Sequence, residues 1–122
     1  MAQAGVYAVV AEIAVAAGNR PGGFVLIRVA ADEAEILTLA VRPASRRRGL
    51  GREMVRAGAE KAADMGAKSL FLEVNVGNFA AKNLYNGLGF LKVGVRPGYY
   101  LRDRDHKEDA LVLSAQLPLL EV

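Results

Sequence analysis

An α/β fold, with a mixed, largely antiparallel sheet flanked by helices, is predicted by three features of the sequence. Three short apolar, β-branched runs precede residue 42. After Gly49 the apolar spacing changes to threes and fours. Gly and Pro stand at nearly every change of period. The resulting order is β-β-β-α-β-α-β-β, and the strand–helix–strand unit in its middle requires one parallel pair.

Val6–Val15 is the first strand and ends at the turn signal Gly18-Asn19-Arg20-Pro21-Gly22-Gly23. Phe24–Ala30 and Glu35–Val41 follow, joined by Ala31-Asp32-Glu33-Ala34, so residues 6–41 read as three antiparallel strands. Leu50, Met54, Val55, Gly58, Ala62 and Met65 mark one face of a helix from Gly49 to Met65, with Gly66 as its left-handed cap. Lys68–Val76 is a strand expected to lie parallel to 35–41. Asn78 suits the N-cap of a second helix with apolar face Ala81, Leu84, Tyr85 and Leu88, closed by Gly89. Two final strands are expected around Phe90–Val95 and Ala110–Leu117, separated by a loop Arg96–Asp109.

The 122 residues suit a single domain, 1–122, with one core. Hydrophobic residues at 52% and charged ones at 24% exclude disorder as the default. The absence of cysteine removes disulfides, thiolate metal sites and cysteine nucleophiles, and the single histidine, His106, removes sites needing several imidazoles. A net charge of +3 suits an anionic ligand but not a dedicated duplex binder. No Lys or Arg precedes Arg20 and Glu12 interrupts the first apolar run, so no secretory signal is read there. No stretch of 18 clean apolar residues offers a membrane span. The expected location is cytoplasmic.

The segment richest in chemistry is Arg42-Pro43-Ala44-Ser45-Arg46-Arg47-Arg48-Gly49-Leu50-Gly51-Arg52, which leaves a strand and opens a helix. Unpaired N–H groups at a helix start suit a phosphate, and glycines let an anion approach the backbone. Six arginines between Arg42 and Arg56 add charge. A Walker loop would need Gly-Lys-Ser/Thr, which is absent. A Rossmann fingerprint would need glycine where Met54 stands. A solvated basic helix start is the simpler alternative.

Arg46-Arg47-Arg48-Gly49-Leu50-Gly51 matches the Gln/Arg-x-x-Gly-x-Gly/Ala turn of the GNAT N-acetyltransferases. Three ordered blocks, EAEILTLAVRPASRRRGLG, LFLEVNVGNFAAKNLYNGLGF and GYYLRDRDHKEDALVL, resemble the ribosomal-protein-alanine N-acetyltransferase branch of that family across residues 23–117. The resemblance implies the GNAT acyl-CoA N-acyltransferase fold and acetyl-CoA as cosubstrate, with no metal. It also implies the α-amino group of a protein N-terminus, of a ribosomal protein, as acceptor. By the same resemblance Glu73 is the general base and Tyr85 the general acid that protonates the departing thiolate. Leu39, Ala40 and Val41 offer backbone to the pantetheine arm. Arg47, Arg48, Gly49, Leu50, Gly51 and Arg52 line the phosphate turn, and Asn78 contacts the cofactor. Tyr99-Tyr100 and Glu108-Asp109-Ala110 match positions near the acceptor groove.

Read on residues alone, Glu73 between Leu72 and Val74 is a carboxylate in a buried strand, costly unless paired. Desolvation raises a carboxylate's pKa and suits a base near neutrality. A structural glutamate paired with an arginine is the alternative. Tyr85 alone reads equally as an inner-face aromatic. A calcium loop through Asp103, Asp105 and Asp109 is disfavoured, because Glu108 stands where glycine belongs and no terminal glutamate follows. A lone glutamate suits an α-amine, whose pKa of about 7.7–8.0 lies about 2.5 units, or roughly 3.4 kcal/mol, below that of lysine.

Two departures stand out. Asn75 replaces an arginine common after Leu-Glu-Val, and the chain begins near the family's second strand. It is therefore expected to be N-terminally short, lacking a strand and two helices that build one wall of the acceptor groove. The second reading is an acyl-CoA-binding module with little or no transferase activity. A third, an RNA-binding module on Arg46–Arg48, lacks interleaved aromatics. No direct nucleic-acid or membrane partner is expected. An exposed edge and bare apolar surface would favour a homodimer.

Overall fold

The computed structural model describes residues 4–15, 18–46, 49–101 and 107–120. In β2 (Gly18–Ala30), alternation from Phe24 onward sends Val25, Ile27 and Val29 into the core while Phe24, Arg28 and Ala30 stay exposed. Its neighbours β1 (Gly5–Val15) and β3 (Glu33–Val41) pair with it antiparallel. β4 (Ser69–Asn75) lies parallel to β3, as expected for a strand–helix–strand crossover. β5 (Leu91–Leu101) and β6 (Lys107–Gln116) complete a six-stranded sheet in the order β1-β2-β3-β4-β6-β5.

Helix α1 (Leu50–Asp64) buries Met54, Val55, Gly58 and Ala62 of the predicted face, with Ala59 beside them, while Leu50 and Met65 are half-buried, and it packs against β2. Gly66 follows it at φ 101°, the left-handed stop expected there. In α2 (Phe79–Gly87) the Asn78 side chain caps the first turn, accepting from Ala81 N at 3.1 Å. Tyr85, Leu88 and Phe90 join Leu70, Leu72, Val74 and Leu113 in the core cluster that α1 also fills.

Two boundaries differ from the sequence reading. Gly18–Gly23 is not a turn but the start of β2, paired from Val15↔Gly18 onward with a register shift at Ala11/Glu12. Gly22 and Gly23 are there for close approach: a Cβ on Gly23 would stand 2.5 Å from Ala40 O, and one on Gly22 2.9 Å from Ile13 Cγ2. The expected loop Arg96–Asp109 is largely strand as well. Cross-strand pairing resumes at Tyr100↔Glu108 after an irregularity spanning Arg96/Tyr100, where Pro97 and Gly98 interrupt the ladder.

Candidate active site

β3 and β4 pair at only three positions, Glu33↔Ser69, Ala34↔Leu70 and Glu35↔Phe71. Beyond them β3 stays with β2 as far as Val41↔Gly23, and β4 stays with β6 as far as Asn75↔Ala110. From Ile36 and Leu72 onward the two strands splay, and their facing edges form no ladder with each other. A cavity of about 300 Å³ lies in this fork, lined by Leu37, Thr38, Glu73, Asn75, Asn78 and Tyr85 among others.

Glu73 reaches the cavity from the side of β4 opposite the core. Leu72 and Val74 are buried, while Glu73 is half-buried with 22% of its side chain exposed. The expectation of a carboxylate in a buried strand is met only in part, because the period-two alternation keeps Glu73 out of the core, and the pairing with an arginine, the alternative reading, is present. Both its oxygens accept from one nitrogen, Arg96 Nη1, at 2.8 and 3.0 Å. Arg96 reaches over β6 to make this contact, its own cross-strand partner being Ala110, which also faces Asn75. The guanidinium stands 4.5 Å from the Tyr99 ring centroid. No local pattern in the sequence singles out Arg96. The two residues are 23 apart, and only the β5–β6–β4 order brings them together.

Tyr85 enters from the helix side. It is 4% exposed, with its ring edge-to-face on Phe90 at 5.3 Å. Burial pushes its phenol up to about 12 from the ordinary 10, so it stays protonated across the neutral range. Asn78 both caps α2 and lines the cavity. Around the cap, Gly77 N donates to Asn75 Oδ1 at 2.8 Å and Lys82 Nζ to Val76 O at 2.9 Å.

The arginine-glycine turn lies at the other end of the fork. Gly49 precedes α1 at φ 75°, a left-handed conformation suited to glycine, and no side chain caps the helix. The first-turn N–H groups of Leu50, Gly51 and Arg52 have no partner within the helix. Gly51 brings three elements together: a Cβ on it would lie 3.4 Å from Leu84 and 3.9 Å from both Leu39 and Val41. Arg46 Nε donates to Val41 O at 3.2 Å, closing the strand end onto the turn. The Arg52 guanidinium lies beside Gly87 of α2. Leu39, Ala40 and Val41 are half-buried. Arg47 and Arg48 lie outside the described residues. An open strand edge leading to an uncapped helix start fits an extended ligand that ends in a diphosphate.

The remaining predicted positions scatter around β5 and β6. Tyr99 lies against Arg96, and Asp109 Oδ1 accepts from Gly98 N at 2.9 Å. Glu108 approaches Gly77, and Ala110 is buried. Asp103, Asp105 and His106 lie outside the described residues. Among the described residues no group of three or more His, Asp or Glu could hold a metal ion.

A splayed parallel pair with a glycine-led helix after its first strand is one half of the diagnosis, and comparison supplies the other. The model of the acetyltransferase (GNAT) family matches residues 3–90. This chain belongs to the GNAT acetyltransferase family. It is similar to the ribosomal protein bS18-alanine N-acetyltransferase of Salmonella typhimurium, 35% identical over 103 residues that cover 84% of this chain and 69% of the relative. Among solved GNAT-like structures, the ribosomal-protein-S18-alanine N-acetyltransferase from Escherichia coli superposes with a TM-score of 0.73 at 33% identity. That match covers 83% of this chain and 64% of the other. The NatC complex bound to Gag peptide and CoA matches at TM-score 0.73 and 28% identity, covering 80% of this chain and 62% of that one. The chain thus spans about two thirds of the length of these relatives.

Proposed function

We propose that this chain transfers the acetyl group of acetyl-CoA to the α-amino group of a protein N-terminus, of the ribosomal-protein-alanine kind. The observation that carries the reading is that Glu73 and Tyr85, from opposite faces of the sheet, line one cavity at the fork. The names of the bS18-alanine relatives support the acceptor class.

In this reading the open edge of β3 at Leu39–Val41 pairs with the pantetheine arm, and the amides of Gly49–Arg52 hold the diphosphate. Asn78 flanks the thioester end. Glu73 accepts a proton from the acceptor amine as its nitrogen bonds to the thioester carbonyl carbon. Backbone N–H groups at the fork steady the oxyanion. The C–S bond then breaks, and Tyr85 gives its phenolic proton to the departing thiolate. Glu73 and Tyr85 are reset by proton exchange with solvent. No helix among the described residues is long and apolar enough to cross a membrane, and a cytoplasmic location suits such an acceptor. The exposed Val6 and Val10 on the edge strand β1 support a homodimer.

The test is to incubate the protein with acetyl-CoA and an Ala-initiated peptide and follow the peptide by mass spectrometry. One acetyl group gained at the N-terminus is expected. Thermal stabilisation by acetyl-CoA without acetylation would leave the binding-module reading instead. Neither effect would remove both.

A further inference from the structure

We infer that Arg96 determines acceptor specificity: it keeps the acidic end of the cavity electrically neutral and so rejects amines that remain charged. The inference rests on the reading of Glu73 as the base and adds to it.

A single nitrogen, Nη1, lies 2.8 and 3.0 Å from the two Glu73 oxygens. A carboxylate has roughly four acceptor sites. One shared donor leaves room for a further N–H, so a neutral amine can join Glu73 while Arg96 stays in place. A cationic amine meets a different field, because the guanidinium already supplies the positive charge that the carboxylate would otherwise seek. The Tyr99 ring, 4.5 Å from the guanidinium carbon, backs Arg96 in this position although 56% of its side chain is exposed.

The surrounding charges do not undo that balance. On α2, Lys82 Nζ is held by Val76 O and lies over the Phe79 ring. On β6, Asp109 accepts from Gly98 N and Glu108 sits against Gly77, and Lys107 lines the same surface, so that with Lys82 two cations offset these two carboxylates. The immediate cross-strand neighbours of the pair, Val112 opposite Glu73 and Ala110 opposite Arg96, carry no charge.

Discrimination follows from acid–base chemistry. At pH 7.5 about one α-amine in three is neutral, against roughly one lysine side chain in a thousand. A neutralised Glu73 is open to the first and closed to the second. A bare carboxylate would attract both.

Arg96→Met removes the charge but keeps an apolar stem over Tyr99, and Arg96→Lys restores the charge. The measurement is kcat/KM for an Ala-initiated peptide relative to the same peptide blocked at its N-terminus and carrying one lysine beside the block. The preference of the native protein for the α-amine should fall at least tenfold in Arg96→Met and return in Arg96→Lys. An unchanged ratio in Arg96→Met overturns the inference. Calorimetric titration of the blocked lysine peptide into the CoA-loaded protein gives a second readout that needs no turnover. Binding should be gained in Arg96→Met over the native protein, and no gain overturns the inference. If the native protein acetylates neither peptide, the Glu73 reading fails by itself, and the titration still decides the role of Arg96.

Discussion

Gly58 of α1 lies so close to Ile27 of β2 that a Cβ built on the glycine would stand 2.4 Å from Ile27 Cδ1. Ile27 is wholly buried, with Val25 Cγ1 3.5 Å from the same point, so the isoleucine has little room to yield. The carbonyl of Gly58 also accepts the Tyr7 hydroxyl at 2.6 Å, which ties the edge strand β1 to the same helix turn. Overpacking costs about 1–3 kcal/mol. Replacing glycine in a helix gains about 1 kcal/mol for alanine and less for valine, which is β-branched. Sterics therefore win, and Gly58→Val should lose about 2 kcal/mol in urea unfolding, with Gly58→Ala losing less. Unchanged stability in Gly58→Val would contradict the close helix–sheet contact.

How much of this was readable beforehand depends on the range of the interaction. The α1 face from Leu50 to Ala62 and the Asn78 cap are local, set by spacing and by one side chain three residues from its donor. Gly22 and Gly23 carry the signature of a turn but serve close strand contact, which no local pattern distinguishes. The fork itself depends on where pairing stops, at Glu35↔Phe71, and that is decided by the elements flanking β3 and β4 rather than by either strand. Resemblance supplied Glu73 and Tyr85 as a pair. Composition and periodicity supplied neither their shared cavity nor the guanidinium of Arg96.

Glu73→Gln keeps the shape and an acceptor for Arg96 but removes the basic oxygen. Turnover on an N-terminal peptide should fall by about 10²–10⁴, the range for losing a general base. Acetyl-CoA affinity should be unchanged, since the diphosphate turn is at the other end of the fork. Stability should shift by less than about 1 kcal/mol, because the ion pair is solvent-exposed on the arginine side. Steady-state kinetics beside calorimetry checks all three, and near-normal turnover would remove the base assignment.

Gly49→Val acts through the backbone. Among the described residues nothing beyond the chain neighbours lies within 4 Å of a Cβ at this position. The difficulty is φ 75°, which costs a β-branched residue about 1–2 kcal/mol or more to adopt. The turn should leave that conformation and take the helix-start amides with it, abolishing acetyl-CoA binding. Gly49→Asn, which tolerates the left-handed region, should retain most of the affinity. Calorimetry on the two variants separates backbone conformation from simple loss of glycine. Equal binding by both, at the native level, would dismiss the phosphate turn.

Tyr85→Phe gives two independent readouts. As the proton donor to the thiolate, its loss should lower kcat by about 10²-fold without altering acetyl-CoA affinity. The ring still packs on Phe90, so stability at neutral pH should move little. The alkaline range should respond. The unfolded chain releases this phenolic proton near pH 10, whereas burial holds it in the folded protein up to about 12. Stabilisation is therefore intact below pH 10 and is lost progressively as pH rises to 12, by about 2–3 kcal/mol for Tyr85. Tyr7, also pushed up to about 12 by desolvation, adds to the same window. Urea unfolding at pH 8, 10 and 11.5 should show a shallower decline in Tyr85→Phe than in the native protein, and shallower still when Tyr7→Phe is added. A decline as steep in the double variant as in the native chain would mean that the two buried phenols do not govern alkaline stability.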